Sequence, residues 1–140
     1  MLKETTMVSH LEPELPPIAM TAYDSEQLNR LASAAARNHP QTTEFLAREI
    51  ARADIVPDIG ERPGLVVMGS QVLFRDDNSD ATRWVTLVYP QDADVSEGKI
   101  SVLSPIGAAL IGLSVSQSIA FETPAGARRS LTVLAVRNPG

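Results

Sequence analysis

The sequence predicts an α+β chain: a short N-terminal antiparallel helical hairpin, then a C-terminal antiparallel β-sheet domain with one short helix. Three observations lead there. Apolar residues recur at helical spacing between residues 22 and 53. A linker-like stretch, Asp58 to Gly64, interrupts the pattern. After it, apolar residues recur mostly at every second position. With 140 residues, 44% of them hydrophobic and 21% charged, the chain can bury one core and lacks the composition of a disordered polymer.

Residues 1–17 contain Pro13, Pro16 and Pro17 with little periodicity, and read as a flexible leader. The hairpin is expected over 18–57. Ile18-Ala19-Met20 reads as a short extended piece. Thr21 precedes Asp24 at nearly the spacing of a capping box, and Leu28, Leu31, Ala32 and Ala35 follow on one helical face, giving a helix over about 22–37. Asn38-His39-Pro40 stops it. A second helix is expected from Thr42 or Thr43, with Phe45, Leu46, Glu49, Ile50 and Ala53 on one side, ending before Pro57. Residues 58–64 form the linker, and 65–140 the sheet domain. Its strand candidates are Val66–Met68, Gln71–Asp76, Ala81–Tyr89, Lys99–Leu103, Gln117–Thr123 and Arg128–Arg137. Between the fourth and fifth, Ser104 is placed to cap a short helix opened by Pro105, with Ile106, Leu110 and Ile111 turned to the sheet. Pro124-Ala125-Gly126 marks the last turn.

Charge excludes one broad class of function. Twelve Lys and Arg face 17 Asp and Glu, a net charge of −5, and only two of the bases are lysine. Ten acids and six bases precede residue 65, and seven acids and six bases follow. Phosphate binding needs clustered cations, so direct nucleic-acid binding is not expected. No cysteine is present, which removes disulfides and thiolate chemistry. The start of the chain has no signal-like apolar stretch, and the longest apolar run, Pro105–Leu113, is far short of the roughly 20 residues that span a bilayer. A soluble cytoplasmic protein without membrane contact is the expectation.

Candidate chemistry is sparse. His10 and His39 stand alone, without a second ligand at metal spacing. Gly107 and Gly112 fit close helix packing and a helix C-terminal cap better than a phosphate loop. Asp76-Asp77 and Asp92-Asp94-Glu97 fall in turn sequences, where carboxylates bind backbone amides. These patterns predict no catalytic residue, no metal, no cofactor and no small-molecule substrate.

The run Ile100–Leu113, with its Ser104-Pro105-Ile106 start, resembles a segment of the C-terminal domain of the Gre transcript-cleavage factors. Val72-Leu73-Phe74, Trp84–Pro90, Val115–Ile119 and Thr123-Pro124-Ala125-Gly126 agree with it. Thr86–Pro90, Ser104–Leu113 and the short hairpin resemble more closely the regulators of nucleoside diphosphate kinase, a short branch of that GreA/GreB family. The resemblance covers about residues 18–137. It implies an FKBP-like C-terminal fold and RNA polymerase as protein partner, with Ser104, Pro105 and Ile106 matching the polymerase-facing segment. It also implies a non-enzymatic regulator. In the Gre factors a long coiled coil carries acids to the polymerase active centre; here the corresponding tip, Arg37–Glu44, holds one acid, Glu44, expected in the first turn of the second helix. The expected function is therefore binding at the secondary-channel rim in competition with Gre factors, without stimulating cleavage. The alternative is direct regulation of an enzyme such as nucleoside diphosphate kinase. The fold name also raises prolyl isomerisation, for which Phe74, Trp84, Tyr89 and Phe121 are the available aromatics. Pairing of Trp84 with Phe74 in the core, and only background isomerase activity, are expected.

Overall fold

In the computed structural model, which describes residues 15–57 and 62–139, the first strand runs directly into a capped helix. Strand β1 (Ala19–Thr21) leads to helix α1 (Ala22–Ala35), and the Thr21 hydroxyl accepts the Asp24 amide at 3.1 Å, the capping bond expected of it. Leu28 and Ala32 are buried on its inner face. Helix α2 (Pro40–Arg52) begins earlier than the apolar pattern predicts. Pro40 needs no amide partner and has a helical φ in advance, so it opens the helix. Glu44 is consequently beyond the first turn, not within it, and is exposed. Leu46 and Ile50 are buried against the first helix and the sheet.

Two segments depart from the expected layout. Asp54–Val56 forms a strand, β2, parallel to β1 with Met20 opposite Ile55, where the apolar pattern predicts only a helix end. Three residues are too few to display a period, and the partner strand decides their conformation. At the other end, Pro16 and Pro17 belong to the stretch that reads as a flexible leader. Their carbonyls instead accept from the Arg52 guanidinium and from Gln117 Nε2 (2.9 Å). The rest of that leader, residues 1–14, and linker residues 58–61 lie outside the described residues.

The main sheet contains β3 (Gln71–Asp76), β4 (Thr82–Val88), β5 (Lys99–Ser101), β6 (Ser118–Glu122) and β7 (Arg128–Arg137), in the spatial order β5-β4-β3-β7-β6. All neighbours are antiparallel except β4 and β5, which are parallel, so the sheet is mixed where the sequence predicts an antiparallel one. The reason lies in residues 89–98. Two short 3-10 turns, Pro90–Asp92 and Val95–Glu97, carry the chain across the end of the sheet, and Gly98, at φ 73°, turns it back in β4's direction. Val66–Met68, a strand candidate, joins no ladder; Leu65 makes an isolated bridge to Ser114. Helix α3 (Pro105–Leu110) covers the inner sheet face.

One core joins hairpin and sheet: Leu28, Leu46 and Ile50 pack with Val72, Val85, Leu87, Leu110 and Val133. Each such side chain contributes about 1.5–3 kcal/mol relative to exposure. The hairpin is thus a layer of the fold and not a detached arm. Gly112, at φ 86°, ends the α3 segment where β1 crosses; a Cβ there would lie 3.1 Å from the Ala19 carbonyl oxygen.

Candidate docking site

The sequence-predicted site is a strand-to-helix junction locked from both sides. Ser101 ends β5, and its hydroxyl accepts the Leu103 amide (2.9 Å). Its carbonyl accepts the Ser104 amide (2.9 Å) and the Ser104 hydroxyl (2.6 Å). That hydroxyl in turn accepts the Gly107 amide (3.0 Å), the N-cap bond of α3. Gly107 is required here: a Cβ would sit 2.1 Å from the Ser101 carbonyl oxygen. This close approach presents Ser104, Pro105 and Ile106 together, each half-buried, so part of every one remains accessible.

Beside them lies a hollow of about 230 Å³, also lined by Arg83, Ile100, Phe121 and Arg129. A second hollow, about 290 Å³, begins on the other side of Pro105 and Phe121 and reaches Glu44, Phe45 and Arg48 of α2. Sequence reasoning finds the junction but misses Phe45, Arg83 and Phe121 as neighbours of it. Strand alternation already turns Phe121 inward with Ile119; no local signal links either to α2.

The remaining polar groups are occupied by structure. Asp76 is held below the ordinary carboxylate pKa by the Asn78 amide and by its ion pair with Arg129. Partial burial works against the Asp77 carboxylate, but donation from Arg75, Ser130 and Thr132 outweighs it and lowers its pKa. Asp94 is lowered by the Ser96 hydroxyl, in a turn it caps. Asp24 is the opposite case: burial raises its pKa against the stabilising Met68 amide. Burial also pushes the Tyr89 phenol up to about 12, with Asp24 and Tyr23 adding to it. Glu49 is buried and held by Arg52 through two bonds of 2.8 and 2.9 Å. Among the described residues no three His, Asp or Glu gather as a metal site, and no helix is long and apolar enough to cross a membrane.

The expected Trp84–Phe74 core pair does not form. Trp84 stands opposite Leu73 and Phe74 opposite Arg83, so strand alternation puts the two rings on opposite faces of the sheet. Phe74 is buried on the inner face; Trp84 is 42% exposed, and the Arg137 guanidinium stacks 4.5 Å from its ring.

A short helical hairpin fused to a curled mixed sheet, with a Ser-Pro-Ile cap presented at its rim, is the architecture of a Gre-type factor with a reduced arm. The family model described as transcription elongation factor GreA/GreB, C-terminal, matches residues 61–138, and the model of the Rnk N-terminus matches residues 16–56. The chain belongs to the GreA/GreB transcription elongation factor family. It is 34% identical over 119 residues to the regulator of nucleoside diphosphate kinase of Escherichia coli K12, spanning 85% of this chain and 88% of that protein. Transcription elongation factor GreA of Syntrophobacter fumaroxidans is 37% identical over 93 residues, 66% of this chain and 59% of that one. A solved structure of a GreA/GreB factor from Nitrosomonas europaea matches with TM-score 0.68 and 35% identity, covering 88% of this chain and 99% of that chain.

Proposed function

We propose that this protein is a non-enzymatic, cytoplasmic regulator that binds RNA polymerase at the secondary-channel rim through Ser104, Pro105 and Ile106. There it competes with Gre factors and stimulates no transcript cleavage. The observation that carries the reading is the junction itself: three family-matching residues, partly accessible, held rigidly by the Ser101–Ser104–Gly107 bonds. The arm supports the second half of it. Helices of 14 and 13 residues reach only about 20 Å, and the tip from Arg37 to Glu44 holds a single acid. One carboxylate is a poor holder of the second metal ion of a two-metal displacement.

The test is binding of the purified protein to core RNA polymerase, followed by cleavage in stalled complexes with and without a Gre factor. The protein is expected to bind, to reduce Gre-stimulated cleavage and to produce none alone. Ser104→Arg, shown by circular dichroism to remain folded, is expected to weaken binding by about tenfold or more, because a bulky charge replaces the cap at the centre of the contact. Cleavage by the protein alone, abolished by Glu44→Gln, overturns the proposal. The name of the Escherichia coli relative favours a second reading, direct binding to nucleoside diphosphate kinase. Co-purification of that kinase, with no polymerase, would select it.

A further inference from the structure

The two hollows at the junction adjoin, because Pro105 and Phe121 line both. Their shared floor is apolar, yet their ends differ in charge. The hollow beside Ile106 is flanked by Arg83 and Arg129. Arg129 is paired with Asp76, whereas Arg83 has no carboxylate partner among the described residues and lies 5.5 Å above the Phe74 ring. The hollow beside Phe45 carries Glu44 and Glu122 against Arg48, and none of these three forms an ion pair among the described residues. A chain of net charge −5 thus has a groove that is basic at one end and acidic at the other.

We infer that this composite groove, walled on one side by α2, receives an amphipathic helix of the protein partner, with an apolar stripe in the middle, an acid at the Arg83 end and a base at the Glu44–Glu122 end. The inference rests on the docking site proposed above and adds two things: the chemistry of the partner, and a role for the hairpin as part of the docking surface. Apolar side chains set the depth of the contact, since Phe45, Pro105 and Phe121 form its floor. The unpaired charges set its direction, because the opposite orientation would bring like charges together at both ends. Exposed charges contribute little to the fold, so their arrangement is available for recognition.

The test uses the full chain and three synthetic peptides of about 18 residues, roughly 27 Å long as helices. All share one leucine stripe; one has glutamates at one end and lysines at the other, one has glutamates at both ends, and one has lysines at both. Fluorescence anisotropy at low salt is expected to rank the mixed peptide tightest, with amide shifts at Phe45, Ala108 and Phe121. Arg83→Glu and Glu122→Lys are each expected to weaken it about 3- to 10-fold, and Arg137→Glu, on the opposite sheet face, to leave it unchanged. Equal affinity for all three peptides, or insensitivity to both groove variants, overturns the inference. So does concentration-dependent dimerisation that Arg83→Glu abolishes, which would give the groove to a second copy. Core RNA polymerase is measured in parallel. The full peptide pattern without polymerase binding overturns the proposed function and leaves the groove standing. Polymerase binding indifferent to both variants does the reverse.

Discussion

Two helices of this protein open with proline, and their supports are opposite. Helix α3 starts at Pro105 behind Ser104, whose hydroxyl both donates to Ser101 and accepts from Gly107. Helix α2 starts at Pro40 behind His39, which makes no side-chain capping bond; the nearest equivalent is the Thr43 hydroxyl folding back on the His39 carbonyl at 2.7 Å. Residues 36–41 at the hairpin tip are all exposed, whereas Gly107 to Leu113 are buried. The hairpin is fastened at its base, by Asp24 to Met68 and by Arg52 to Glu49 and Pro16, and is free at its end. The difference teaches where recognition is built. A surface can bind with little ordering cost only if its backbone is already held, and that condition is met at the junction and not at the tip.

The comparison breaks most sharply at Gly107. Gly107→Ala forces a methyl group to within 2.1 Å of a backbone oxygen, a position from which neither neighbour can withdraw without losing the cap. A loss of about 3 kcal/mol or more is expected, read as a melting temperature lower by roughly 10 °C. A variant as stable as the parent would show that the junction is pliable.

At the base of the hairpin, Arg52→Met leaves the buried Glu49 carboxylate without its bidentate partner and frees the Pro16 carbonyl. Arg52 itself is only 25% exposed, and a loss of about 2 kcal/mol is expected by chemical denaturation. No loss would mean that apolar packing alone seats α2.

Asp24 tests the other fastening through pH. Burial raises its pKa above the ordinary 3.8, so the folded chain holds that proton more tightly than the unfolded chain. Stability from this group is fully present below 3.8 and is lost as pH rises through the raised value. Asp24→Asn keeps an acceptor for the Met68 amide and removes the titration. Its stability relative to the parent is expected to improve between about pH 3 and about pH 7, measured by denaturant unfolding at each. A difference independent of pH would contradict the burial argument.

The smallest effect sharpens the contrast. His39→Asp supplies the tip with the side-chain acceptor it lacks, at the favourable end of the helix dipole, and about 0.5 kcal/mol of added stability is expected. Polymerase binding should not change. A tip variant that altered binding as strongly as Ser104→Arg would move the docking surface into the hairpin end.

Local chemistry is legible in the amino-acid sequence by itself. The Thr21 and Ser104 caps, the glycines at 107 and 112, the turn at Asp76–Asp80 and the span of β7 all follow from neighbours within about one turn, where side-chain size and hydrogen-bonding type decide the outcome. Composition likewise fixes the net charge, with too few clustered cations to favour a phosphate backbone. Tertiary structure decides everything that depends on a distant partner. Asp54–Val56 is a strand because β1 lies beside it, and β5 runs parallel because the crossover returns it that way. Trp84 faces outward because the register with β3 places it on the other side from Phe74. The groove itself joins Phe45 to Phe121 across more than half the chain. Caps and turns are settled by interactions a few residues long; registers, faces and grooves are settled by which segments the core brings together.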